Sequence, residues 1–312
     1  MPFDPNSQPI VELRRAIQQS DISAVLVKKE LDPIITRLVE YNNPLRVNLT
    51  RKPGSGAGYY LNSRTPGTTP AAFINDTESL TEQTGTYAQE FFEHKTFGTQ
   101  GKITRKAQKI AASYKNILQD ELEAKAEEFR DFEEWAIIWG SKTNPKEFDG
   151  LHKLAGTVYA VTVGTSGARM TAEQLDEAID KVRGMPNMII CSKRTRRQMW
   201  AILATKQSFV NQVEVRGGFK LTTYSDVPIY VNSRIPDTCT FDGTKVTAAT
   251  GGATSVMYIL DNAKVFLSVL TDIEVIPLDK VSSQYDAFDM VCDEVLVVRD
   301  PVAVVEVVGI GV

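Results

Sequence analysis

An α+β fold is predicted by three observations. One long amphipathic helical pattern occupies residues 116–140. A Thr-, Gly- and Pro-rich segment with short alternating runs precedes it. From about residue 156 onward, helical and strand patterns interleave up to two closing apolar strands. The chain has 312 residues, 42% hydrophobic and 24% charged, a globular composition with room for two lobes. The net charge of −4 carries no global signature of nucleic-acid binding.

The long helix rests on its periodicity. In "NILQDELEAKAEEFRDFEEWAIIWG", Ile117, Leu118, Leu122, Ala126, Phe129, Phe132, Ala136 and Trp139 recur at steps of three or four. Asn116 suits the N-cap and Gly140 the C′ position. Its length is on the order of 37 Å, about twice the globular average.

Before it, residues 10–42 read as short helices, with Asp32 as an N-cap ahead of Pro33, and "NNP" at 42–44 ends that stretch. From Leu45 to about Lys109 come alternating runs such as "RVNLT" and "GKITRKAQKI", with clustered glycines and prolines. A structureless insert of that length is unusual in a compact domain, and a two-stranded arm with a bending tip accounts for it. "RKPGSGAGYY" is not a phosphate loop, because no Lys-Ser/Thr follows its glycines and no helix opens there. "ATGGATS" at 249–255 fails in the same way and reads as a hairpin turn.

After 156, "TAEQLDEAIDKVRG" is a helix with a capping box at Thr171 and Gln174. "NMIIC" is a buried strand, and "SKRTRRQMWAILATK" is a helix capped by Ser192. "VPIYVNS", "SVMYILD", "AKVFLSVL", "DIEVIPL", "DEVLVVRD" and "VAVVEVVG" are strands.

Catalytic and metal chemistry find little support. His94 and His152 have no Cys, His or acidic neighbour at ligand spacing, and the three cysteines are far apart. No nucleophile elbow appears, and Asp149 in "FDG" suits a turn. No catalytic residue, cofactor site or metal site is expected. No apolar run reaches membrane-spanning length, so no membrane partner is expected. The basic cluster Lys193, Arg194, Arg196 and Arg197 lies at a helix start, where the dipole disfavours it, and fits a solvated face or a subunit contact.

Charge is laid out in blocks. Residues 41–75 carry Arg46, Arg51, Lys52 and Arg64 and no acid, whereas the long helix carries Asp120, Glu121, Glu123, Glu127, Glu128, Asp131, Glu133 and Glu134. An extended arm cannot easily fold back on its own helix. The expected contact is therefore between copies, with the arm (Arg51, Lys52, Tyr59, Tyr60, Arg64) on the helix face (Glu123, Glu127, Glu128, Asp131) of a neighbour.

In order and character these elements resemble the major capsid proteins of tailed phages, with the Hong Kong 97-type fold. "WGSKTNPKEFDGLHKL", "PNMIICSKRTRRQMWAIL", "SDVPIYVNSRIPD" and "DEVLVVRDPVAVVEVV" resemble that family's passages between and within domains. The resemblance implies an N-terminal arm (1–45), an extended β-arm or E-loop (46–108) and a P domain with the spine helix (109–155). It further implies an α/β A domain (156–270) and closing P-domain strands (271–312). It also implies a non-enzymatic shell protein that forms hexamers and pentamers of an icosahedral capsid around double-stranded DNA. The shell would assemble in the host cytoplasm, with a portal and either a separate scaffolding protein or none. A nanocompartment shell of the encapsulin type shares the fold and is the alternative. A soluble α/β enzyme is the remote one.

Overall fold

The structure, a computed structural model, describes residues 43–311 except 66–72, 74, 77–84, 112–115, 156–158, 206–211, 216–218, 242–245, 248–250 and 279–283. The helices expected before residue 43 and the far end of the arm lie outside the described residues.

The described chain opens with a short helix, α1 (Pro44–Asn48), then β1 (Thr50–Pro53), β2 (Gly58–Thr65), β3 (Thr86–Glu93) and β4 (Lys95–Thr104). Helix α2 (Arg105–Ala111) leads to the long helix α3 (Ile117–Trp139) and the turn-length α4 (Leu151–Leu154). Next come β5 (Val161–Thr162), α5 (Ala172–Lys181), β6 (Met188–Cys191), α6 (Lys193–Thr205), β7 (Gln212–Val215), β8 (Phe219–Tyr224) and β9 (Val227–Val231). The chain continues with β10 (Thr240–Phe241), β11 (Val246–Thr247), β12 (Thr254–Leu260), β13 (Val265–Pro277), β14 (Tyr285–Val298) and β15 (Val304–Gly311).

Two sheets organise these elements. One has seven strands in the order β5-β15-β12-β6-β9-β8-β7, the other four in the order β1-β13-β14-β4. Strands β2 and β3 pair only with each other, from Gly58 opposite Glu93 to Thr65 opposite Thr86. The seven-stranded sheet is covered on both faces, which explains the continuous burial of β12. Val256, Tyr258 and Leu260 join a core with Leu45, the α3 residues Ala136–Trp139, and Phe266 and Leu296 of the second sheet. Met257 and Ile259 turn the other way, against Leu175 and Ala178 of α5 and Met199 of α6. Glu306 interrupts the last apolar strand because its carboxylate accepts from the Tyr258 hydroxyl at 3.0 Å and pairs with His152 Nδ1 at 2.9 Å.

The caps expected after residue 156 are in place. Thr171 Oγ1 accepts from Gln174 N at 3.3 Å, Gln174 Oε1 accepts from Thr171 N at 3.0 Å, and Ser192 Oγ accepts from Thr195 N at 3.1 Å. Four local expectations are revised. "RVNLT" is a helix end followed by a strand, because Pro44 at the first helical position starts α1. "GKITRKAQKI" is likewise a strand that passes into α2. "AKVFLSVL" and "DIEVIPL" are one strand, β13, whose pairing with β14 shifts register near Thr271. Gly140 is the C-cap at φ −49°, not a left-handed C′ residue. It is required because a Cβ there would press on the carbonyl oxygens of Ala136 and Phe148.

Candidate subunit interface

The hairpin β2–β3 has two unlike faces, dictated by strand alternation. Tyr59, Leu61 and Phe92 point inward and pack on the core, with the Tyr59 ring edge-on to Phe266 at 5.3 Å. The opposite face carries three cross-strand pairs in succession. Tyr60 faces Phe91 with centroids 4.6 Å apart, Gln89 Nε2 donates to Asn62 Oδ1 at 2.9 Å, and the Arg64 guanidinium lies 5.7 Å from the Tyr87 ring centroid. Tyr60 is 59% exposed, Tyr87 73% and Phe91 37%. This outward face is mixed, with the Tyr60–Phe91 ring pair at one end, an amide pair in the middle and Arg64 beside the Tyr87 ring at the other. Exposed aromatics among polar groups are of the kind that marks interaction surfaces.

The root of this hairpin is fixed by buried carboxylates on α3. Pro44 has no N–H to offer, and Asn43 makes no side-chain cap, so α1 begins with two open amides. Glu134 closes both, accepting from Leu45 N at 2.9 Å and Arg46 N at 3.0 Å, and accepts from Asn232 Nδ2 at 2.6 Å as well. Burial outweighs the three donors and leaves the Glu134 carboxyl raised to about 7. With donors facing both of its oxygens, the carboxylate is the form the geometry fits. Beside it, the buried Glu133 pairs with both Arg46 and Arg51. Arg51 also stands 3.6 Å from Glu294 and 3.4 Å from Asp272. Glu294 is buried with no hydrogen bond to either oxygen, and that burial raises its carboxyl well above the ordinary value against the pull of Arg51 and Arg46.

The premise that the arm does not meet its own helix is therefore corrected: Arg46 and Arg51 reach Glu133 of the same chain. The reason is that β1 is not in the arm. It lies parallel to β13, from Thr50 opposite Phe266 to Pro53 opposite Val269, and places Arg51 over the helix. Gly54–Ala57 is the turn at the hairpin root, not its tip. Lys52 extends over Phe266, 4.1 Å from the ring centroid. Of the expected arm residues, Tyr60 and Arg64 are outward, while Arg51, Lys52 and Tyr59 serve the root. On α3, Asp131 is buried against Arg234. Glu128 is exposed and pairs with Lys125 at 2.7 Å, Glu123 is exposed and Glu127 half-buried. Tyr87, Phe91 and Glu294 were not singled out from sequence, and Glu133 and Glu134 were read there as part of the acidic helix block, whereas both are buried. The alternation of Tyr87, Gln89 and Phe91 in "TYAQEFFE" was the available signal for the first two.

Among the described residues no group of three or more His, Cys, Asp or Glu side chains could hold a metal ion, and no helix is long and apolar enough to cross a membrane. His94 Nε2 is 3.0 Å from Ser268 Oγ, and Asp149 accepts from Lys142 N at 2.7 Å inside a turn. Both have structural partners.

A hairpin projecting from a four-stranded sheet, a long helix beneath it and a covered α/β sheet together make the Hong Kong 97-type shell fold. Solved structures agree. The holo-SrpI encapsulin complex from Synechococcus elongatus PCC 7942 matches with TM-score 0.70 at 12% identity, over 93% of this chain and 95% of that one. Mycobacterium phage Bobi matches with TM-score 0.68 at 13% identity, over 95% and 99%. The capsid of Myoviridae phage XM1 matches with TM-score 0.62 at 13% identity, over 90% and 97%. No curated protein sequence matches. Residues 63–311 match the SU10 major capsid protein family, and the chain belongs to that family. It is a structural subunit of a virion capsid, built by association of its own copies, and not an enzyme.

Proposed function

We propose that copies of this chain form hexamers and pentamers, and that these close an icosahedral shell around double-stranded DNA. In this reading β2–β3 is the E-loop and lies across the adjacent subunit. The four-stranded sheet with α3 is the P domain, and the seven-stranded sheet with α5 and α6 is the A domain that points to the capsomer axis. This division takes β1 and β4 out of the expected E-loop (46–108) and β15 out of the expected closing P-domain strands (271–312). The observation that supports the reading is the outward hairpin face with Tyr60, Phe91 and Tyr87, exposed aromatic side chains that a second copy would cover. Its root is tied down by Glu134 and Glu133, so the face is presented on a fixed base. Assembly would take place in the host cytoplasm, with a portal at one vertex and a scaffolding protein supplied separately if one is used.

A photo-crosslinker in place of Tyr60 tests the arm. Assembled particles should yield covalent dimers joined between the hairpin and a neighbouring copy, and dissociated chains should not. Exclusively intrachain products in intact particles would refute it. The encapsulin likeness is the second reading. Nuclease-resistant DNA inside particles made during infection favours the phage shell, and a packaged enzyme in place of DNA favours the compartment.

A further inference from the structure

Two helices on one face of the seven-stranded sheet carry opposite charge. Along α5, Glu173, Asp176, Glu177 and Asp180 fall at i, i+3, i+4 and i+7 and form one exposed stripe. Asp176 accepts from Tyr224 Oη at 2.6 Å and Glu177 pairs with Lys181 at 2.7 Å, whereas Glu173 and Asp180 have no ion pair among the described residues. On α6, Lys193, Arg194, Arg196 and Arg197 are all exposed, and none is paired with a described acid. No Asp or Glu occurs between Asp180 and Glu214. Four cations in the first turns of a helix oppose its dipole, so the folded chain by itself gains nothing from them.

A cleft of about 690 Å³ lies beside these cations, lined by Arg169, Arg194, Arg197, Gln198, Met170 and Ile202 among others. Its wall is fixed at the end of β15, where Gln198 Nε2 donates to the Gly311 carbonyl and Gly311 N donates to the Ala168 carbonyl at 2.7 Å. The Gln198 Oε1 atom is buried there without a hydrogen bond. Cleft and helix start thus form one cationic surface with no ion-paired acid among the described residues.

We infer that this cationic surface, α6 and the adjoining cleft, receives the acidic α5 stripe of a second copy of this chain. The contact joins two different surfaces, and in the shell reading it repeats by rotation and closes a ring. A two-fold contact that pairs each α5 stripe with the other copy's α6 would stop at a dimer, and a scattering mass fixed at the dimer would overturn the ring contact. The inference rests on the shell reading and adds to it a named contact around the capsomer axis.

Charge exchange tests it in the full chain. The variants are Arg194→Glu/Arg197→Glu, Glu173→Lys/Asp180→Lys, and all four together. Acidic replacements at the start of α6 suit the dipole, so that fold is not endangered, and Arg194→Gln/Arg197→Gln serves as a milder second variant. Circular dichroism checks folding, and light scattering across a salt series reads assembly. Each charge-reversed pair should slow assembly at least tenfold at low salt, the glutamine pair should slow it less, and the fourfold exchange should restore it. Normal assembly of folded double variants, or no recovery in the fourfold variant, would overturn the contact and leave the shell reading standing. Normal assembly with loss of retained DNA would assign the cations to nucleic acid and also overturn it. Failure of the wild type to assemble would remove the shell reading itself.

Discussion

Glu134 is the residue on which the hairpin root depends most, and Glu134→Ala is the perturbation that shows it. The change removes the carboxylate that closes the start of α1 and leaves the Asn232 amide without its acceptor. Leu45 N and Asn232 Nδ2 are buried, so water cannot replace the lost carboxylate, and Arg46 N is partly reached. An orphaned buried donor costs about 1–3 kcal/mol, and two of the three donors are fully buried. The expected loss is about 3–5 kcal/mol. For a chain of this size each kcal/mol lowers Tm by roughly 2–4 °C, so a drop of roughly 10 °C is expected. The assay is a thermal melt of the unassembled chain followed by circular dichroism, since shell contacts would mask the effect. Glu134→Gln keeps one acceptor oxygen but turns its amide on a donor, and should lose about half as much. A Tm for Glu134→Ala within about 2 °C of the wild type would refute the anchoring role.

Three further outcomes follow from the same geometry. Tyr60→Ser/Phe91→Ser should leave the isolated chain within about 1 kcal/mol of the wild type, because both rings are outward, yet abolish particle formation in sedimentation. Gly309 sits at φ 72° with the Gly164 carbonyl against it, so Gly309→Ala should cost at least about 2 kcal/mol and sharply reduce the yield of folded chain, measured by soluble expression and melting. The buried Glu294 holds its proton more tightly in the folded chain than unfolded, with its value raised from 4.5 to about 7. That contribution is complete below the unfolded value and is lost as pH rises through the folded one. Between pH 5 and 8 the wild type should therefore lose about 2–3 kcal/mol more than Glu294→Gln in denaturant titrations.

Much of the fold was legible because periodicity and capping are local. The stripe on α3, the capping box at Thr171 and the apolar runs of β12 and β15 each mark their own element. The ion pairs were not legible in the same way. Arg51 meets Glu133 because β1 aligns with β13, more than 200 residues away, and nothing near Arg51 in sequence encodes that pairing. Charge blocks indicated which partners attract, and only the topology decides whether they meet within one chain. The outward hairpin face was half legible. Tyr60 stood out beside the glycines, whereas Tyr87 and Phe91 join it through the register across the turn.

The most direct test is imaging of the purified protein by electron microscopy, alongside its mass by light scattering, at low and high salt and with any scaffolding protein present. Closed icosahedral particles built from hexamers and pentamers, with β2–β3 resting on the neighbouring subunit, are the predicted result. A chain that stays monomeric or dimeric under every condition, or particles whose hairpins contact only their own subunit, would contradict the account.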